Sequence, residues 1–124
     1  MIYLDTHVVV RLCAENRIKF SNSVENLIEK YEVSISAIVC LELQYLLEIK
    51  RIAAKPEKII SNLASSIGLK ICDKNFNTII SKAMSLSWTR DPFDRIIVAN
   101  AAINNSVLIT KDQHILEHYE NAKW

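Results

Sequence analysis

Four short apolar runs, Met1–Leu4, Val33–Ser36, Leu69–Cys72 and Val107–Thr110, are each about one strand long, and helix-like segments lie between them. This alternation restricts the fold more than any other feature of the chain. Strands separated by helices pair in parallel through right-handed crossovers, which leaves helices on both faces of the sheet. The expected architecture is therefore α/β, a three-layer α/β/α sandwich around a central, mainly parallel sheet. Local punctuation agrees. Ser36 suits the N-cap of a helix running from Ala37 to about Ile52, and Pro56 suits the first turn of another that Gly68 ends. Further helices are expected over Phe76–Leu86, from Pro92 to about Asn104, and over Gln113–Tyr119, with Ala122–Trp124 as a candidate edge strand. In open parallel sheets ligands bind beyond the carboxyl ends of the strands, so chemistry is sought there.

The 124 residues fit one domain, 1–124, and a half-hydrophobic composition with one Gly and two Pro suits an ordered globule. A formal net charge of +1 excludes a global basic field of the kind non-specific DNA binders carry. No uncharged apolar run reaches the ~18 residues of a membrane span, and the start of the chain lacks a signal-peptide pattern. A cytoplasmic location is expected. The three cysteines, Cys13, Cys40 and Cys72, are widely spaced with no CxxC pair, and read as small core residues in a reducing compartment.

The informative residues are acids. Asp5 directly follows the first apolar run and Asp112 comes shortly after the last, so both belong on the same rim of the sheet. Either alone is an ordinary turn or cap residue. At about 100° per residue, Glu42 falls among Ile38, Leu41, Tyr45, Leu46 and Ile49 on the expected apolar face of its helix. A carboxylate there needs a partner, either a buried Arg or Lys or a metal ion. In Trp88-Thr-Arg-Asp-Pro-Phe-Asp-Arg95, Asp91 reads as an N-cap, and Asp94 lies on a face with Val98, Ala101 and Ala102. Asn100 and Asn104 form a more polar stripe pointing elsewhere. Asp5, Glu42, Asp94 and Asp112 thus come from four elements that can converge on one rim. Clustered carboxylates repel unless a cation neutralises them, and all-oxygen ligation suits Mg²⁺ or Mn²⁺.

Competing chemistry is poorly represented. His114 and His118 have a zinc-compatible spacing, but with no third ligand in the pattern they read as a solvated face. There is no Gly-rich phosphate loop and no nucleophile elbow. A phosphoaspartate receiver needs adjacent acids after the first strand, whereas Asp5 is followed by Thr6 and His7.

Four segments resemble the PIN-domain ribonucleases, and among them the VapC-type toxins of bacterial toxin–antitoxin pairs. Tyr3-Leu-Asp-Thr-His7 is similar to that family's first acidic motif, and Ser34–Leu43 to the segment carrying its helical glutamate. Arg90–Ala99 resembles the third motif and Leu108-Ile-Thr-Lys-Asp112 the fourth, in order over nearly the whole chain. His7 stands where Asn is commoner in the family. Carried over by position, the resemblance implies that Asp5, Glu42, Asp94 and Asp112 bind Mg²⁺ or Mn²⁺ and catalyse. Thr6 and Thr110 would orient them, and Asp91 would be an accessory acid. It further implies a homodimer and a small antitoxin partner whose tail blocks the site. The expected activity is metal-dependent endoribonuclease cleavage by in-line attack of water on phosphorus, giving a 5′-phosphate and a 3′-hydroxyl. Arg90, Arg95 and Lys111, next to the acids in sequence, are candidate RNA-phosphate contacts. A non-catalytic PIN-like module that only binds RNA or protein is the alternative.

Overall fold

The computed structural model describes residues 1–14 and 20–124. Its elements are β1 (Ile2–Leu4), α1 (Thr6–Cys13), α2 (Asn22–Lys30), β2 (Val33–Ile35), α3 (Ala37–Glu48) and α4 (Pro56–Ile67). The chain continues through β3 (Lys70–Ile71), α5 (Phe76–Met84), α6 (Pro92–Ala102), β4 (Val107–Ile109), α7 (Gln113–His118) and β5 (Ala122–Lys123). The five strands form one sheet in the order β3-β2-β1-β4-β5, and every pairing is parallel. Connections from β1 to β2 to β3 step one way across the sheet, and those from β3 to β4 to β5 step back. Right-handed crossovers therefore put the two helix groups on opposite faces, which gives the expected three layers. The tail does form an edge strand, β5.

The apolar runs pair in register, with Ile2 beside Val33 and Val107, and Leu4 beside Ile109. Ile2, Leu4, Ile35, Leu108 and Ile109 are almost completely buried, joined by Val8, Val9, Leu43, Leu63, Ile97 and Ile115 from the helices. Fully burying an aliphatic side chain of this size is worth about 1.5–3 kcal/mol. The three thiols are free and half-buried against this core. Among the described residues no helix is long and apolar enough to cross a membrane.

Helix ends follow their signals. Ser36 accepts from the Ile38 amide, and Gly68 closes α4 in the left-handed region at φ 70°. Helix α3 stops at Glu48 instead of about Ile52, because Lys50 takes a positive φ of 63° and turns the chain. Its orientation also differs from expectation. Val39 and Leu43 face the core, while Leu41, Tyr45 and Ile49 are exposed. Apolar residues occur on every side of this helix, so periodicity alone could not fix which side is buried. Glu42 sits half-buried on the flank of the inward face. Asn100 departs as well: it is 1% exposed, and its amide has no hydrogen-bond partner among the described residues.

Candidate active site

The strand order reverses direction between β1 and β4, and the chain leaves both strands at the same rim. Asp5 follows β1 and is buried there, with its amide donating to the Ile109 carbonyl at the end of β4 (3.0 Å). As N-cap of α1 it accepts from the Thr6 amide through Oδ1 (2.8 Å), while Thr110 Oγ1 donates to Oδ2 (2.7 Å). Thr110 in turn accepts from the Asp112 amide (3.0 Å), and Asp112 caps α7 by accepting from Ile115 N (3.1 Å). Asp91 caps α6, accepting from Phe93 N (2.8 Å) and Asp94 N (3.2 Å).

Helices α3 and α6 touch, and a Tyr45–Phe93 ring stack (centroids 6.3 Å apart) spans them. This contact carries Glu42 and Asp94 to the same rim. Glu42 Oε1 accepts a short hydrogen bond from Thr6 Oγ1. A cavity of about 530 Å³ results, lined by Asp5, Glu42, Asp91, Asp94 and Asp112 together with Thr6 and His7.

Five carboxylates border one space, and among the described residues no Lys or Arg forms an ion pair with any of them. The electrostatic consequence is visible at two of the acids. Burial, reinforced by the charges of Asp91, Asp5, Asp112 and Glu42, pushes the Asp94 carboxyl up to about 7. Burial likewise raises Glu42, opposed by its Thr6 hydrogen bond and aided by the Asp5 and Asp91 charges. The alternative in which Glu42 pairs with a core Arg or Lys finds no such partner among the described residues.

Of the basic residues singled out in the sequence, Arg95 is committed elsewhere: its guanidinium donates to the Ala83 and Met84 carbonyls and ties α6 to the end of α5. Arg90 donates to the Ser87 carbonyl (3.0 Å), and Lys111 is exposed beside the rim with its amide donating to His7 Nε2 (3.1 Å). Arg11 and Arg51, which sequence reasoning passed over, line the cavity instead. Arg11 is held over the ring of Trp124 (5.2 Å), which also meets His7 and Phe20 edge-on. The available signal for Arg11 was its place on the helix that Asp5 opens, two turns from the acid; Arg51 follows an unforeseen helix end and carried none. His7 was noted only as a departure from a motif. Its Nε2 accepts from the Lys111 amide and lies 3.4 Å from Asp5 Oδ2, and its Nδ1 is buried with no hydrogen-bond partner among the described residues.

Residues 2–121 match the family model of the PIN domain. The chain belongs to the PIN-domain family. Similar solved structures include VapBC2 from Rickettsia felis bound to a DNA fragment from their promoter, with a TM-score of 0.70 and 22% identity, covering 99% of this chain and 98% of that one. A toxin–antitoxin complex from Klebsiella pneumoniae has a TM-score of 0.66 and 16% identity over 100% of this chain and 97% of that one. DNA-bound VapBC from Salmonella typhimurium gives 0.63 and 20%, covering 98% and 94%. No curated protein matches the chain by sequence comparison. At these identities the solved structures establish a shared PIN fold.

Proposed function

We propose that this PIN-domain protein is a Mg²⁺- or Mn²⁺-dependent endoribonuclease and the toxin of a type II toxin–antitoxin pair, with residues 1–124 forming one nuclease domain. The observation that carries this reading is the gathering of five carboxylates around one cavity with no paired Lys or Arg among the described residues. The donor set fits the ion, since hard divalent cations take carboxylate oxygens and keep several waters. Asp5, Glu42, Asp94 and Asp112 would hold it, with Asp91 as an accessory acid. When bound, such an ion makes a water acidic and offsets charge on the attacked phosphate.

The chain's own residues prepare that chemistry. Thr110 and the Thr6 amide fix both oxygens of Asp5, and the Thr6 hydroxyl aims Glu42. The α7 cap holds Asp112 in place. Arg11 and Arg51 lie where RNA phosphates would approach, with Lys111 exposed next to Asp112, while Arg90 turns to the Ser87 carbonyl and lines a separate pocket with Arg95. The side chain of Arg95 instead holds α5 to α6.

The toxin assignment is supported by whole-chain likeness to proteins in toxin–antitoxin complexes. The partners proposed are RNA, a cognate antitoxin and a second copy in a homodimer, all in the cytoplasm. The test is a metal titration of cleavage on a mixed RNA pool, using wild type and Glu42→Gln. Cleavage that needs Mg²⁺ or Mn²⁺ and vanishes in the variant is expected. RNA or antitoxin binding without cleavage at any metal concentration would instead establish the non-catalytic module.

A further inference from the structure

On the exposed surface of α7, the structure completes a site that the sequence left one ligand short. His114, Glu117 and His118 each offer a ligand atom, and these atoms lie within 4.8 Å of one another. We infer that His114, Glu117 and His118 form a second metal site, on the surface of α7, selective for Zn²⁺-class ions. It is independent of the nuclease reading.

The ligand chemistry sets the ion. Two imidazoles and one carboxylate are the donors of Zn²⁺, whereas Mg²⁺ demands oxygen and binds imidazole poorly. Ring orientation provides a separate argument. His114 Nε2 lies 2.6 Å from the Trp88 carbonyl, and His118 Nδ1 lies 2.9 Å from the His114 carbonyl. A carbonyl can only accept, so each of those nitrogens carries the ring proton. The lone pairs are thereby left on His114 Nδ1 and His118 Nε2. Metal-ligating histidines are usually fixed in this way, with the second nitrogen donating to a carbonyl or carboxylate.

The rings are also held before any ion arrives. Trp88 stacks on His118 (centroids 5.0 Å apart, planes 8° from parallel) and packs obliquely on His114 at 5.3 Å. All three ligands are exposed, so an ion can enter directly from solvent. Their order, His-x-x-Glu-His, puts the ligands within one turn and a half, where positions three and four apart are neighbours. The ion's ligands all come from α7, and the hydrogen bond and ring packing of its histidines on Trp88 join that helix to the segment leading to Asp91.

The test is calorimetric titration of Zn²⁺ into the full-length protein in millimolar Mg²⁺, which occupies the carboxylate cavity. It is run on wild type, Glu42→Gln, His118→Ala and Glu117→Gln. One equivalent of Zn²⁺ is expected to bind wild type and Glu42→Gln alike, with affinity down at least tenfold in His118→Ala and several-fold in Glu117→Gln. Co²⁺ quenching of tryptophan fluorescence is a second readout, since the ion would sit beside Trp88. Most of that quenching should disappear in Trp88→Phe, leaving Trp124 as a control. Absence of Zn²⁺ binding to wild type overturns the inference. So does binding that survives His118→Ala but is lost in Glu42→Gln, because the ion would then be in the carboxylate cavity.

Discussion

Replacing Asp94 with Asn should stabilise the metal-free protein while abolishing nuclease activity. The Asp94 carboxyl is raised from an ordinary 3.8 to about 7, chiefly by burial and then by four neighbouring acids. A rise of that size corresponds to about 4 kcal/mol for a wholly interior group. Asp94 is only half-buried, so solvent screening reduces the cost of its charge to roughly 1–2 kcal/mol. Against this, an anion in the first turn of α6 is favoured by about 0.3–1 kcal/mol. The net gain of about 1 kcal/mol should raise Tm by roughly 3–5 °C for a chain this long. The pH dependence has a definite sign. A carboxyl with a folded-state value above its unfolded value costs stability progressively from about pH 4 to about pH 7, and the full cost persists above. The Tm advantage of Asp94→Asn should therefore be largest near pH 8, shrink toward pH 5, and fall with added salt. Mg²⁺ should reverse the order by binding wild type more tightly. The assay is thermal unfolding of both proteins in EDTA and in Mg²⁺ at the two pH values. An equal Mg²⁺ shift in both would mean that Asp94 binds no ion and serves only as a helix-terminal acid.

RNA cleavage should stop in EDTA and return with Mg²⁺ or Mn²⁺, because the carboxylates alone offer no positive charge to the phosphate; undiminished cleavage after thorough chelation refutes the mechanism. Glu42→Gln should remove cleavage without lowering Tm, since the amide oxygen can still accept from Thr6; a Tm loss with retained activity would assign Glu42 a structural role. Gly68→Ala should lower stability by about 1–2 kcal/mol from backbone strain and leave cleavage intact. An added Cβ meets nothing within 4 Å, so a crowding effect on the neighbours would contradict this.

The fold was legible because β1 and β4 are uninterrupted apolar runs, β2 and β3 lie in mostly apolar segments, and nearly every helix carries its own start signal. Ser36, Pro56, Asp91 and Pro92 all mark where helices begin. What escaped was rotational. On α3 the exposed Leu41, Tyr45 and Ile49 are as apolar as the buried Val39 and Leu43, so which side faces inward is set by packing against α6, α4 and α1. Asn100 escaped for the opposite reason, being polar by composition yet enclosed. At the site, the four aspartates were readable because strand ends and helix starts place them, and Glu42 because it is a carboxylate in an apolar helix, whereas Arg51 reaches the cavity only through the turn that ends α3. Glu117 was missed as a partner of His114 and His118 because a glutamate on an exposed helix turn carries no distinguishing pattern.

Capping and cation binding are rival explanations for an aspartate taken singly in the sequence, yet the geometry makes them compatible. Asp5, Asp91 and Asp112 each accept backbone N–H groups at the start of a helix while lining the shared cavity. A helix N-terminus carries partial positive charge, so three helices deliver three anions to one rim and partly offset their repulsion. The caps thereby lower the cost of holding these carboxylates together. Glu42 and Asp94 accept no such cap bond, and burial raises both carboxyls. These two acids concentrate the electrostatic cost of gathering the carboxylates, so the largest stability response to added Mg²⁺ should be lost by neutralising either of them. Neutralising a capping aspartate as Asn keeps the cap acceptor but removes a cavity charge together with its favourable interaction with the helix N-terminus, so its effect on folding would overlap its effect on the ion. The separation is measurable as the Mg²⁺-dependent Tm shift of Asp94→Asn compared with Asp91→Asn. A larger loss of that shift in Asp91→Asn would place the ion nearer the caps than the α3–α6 contact.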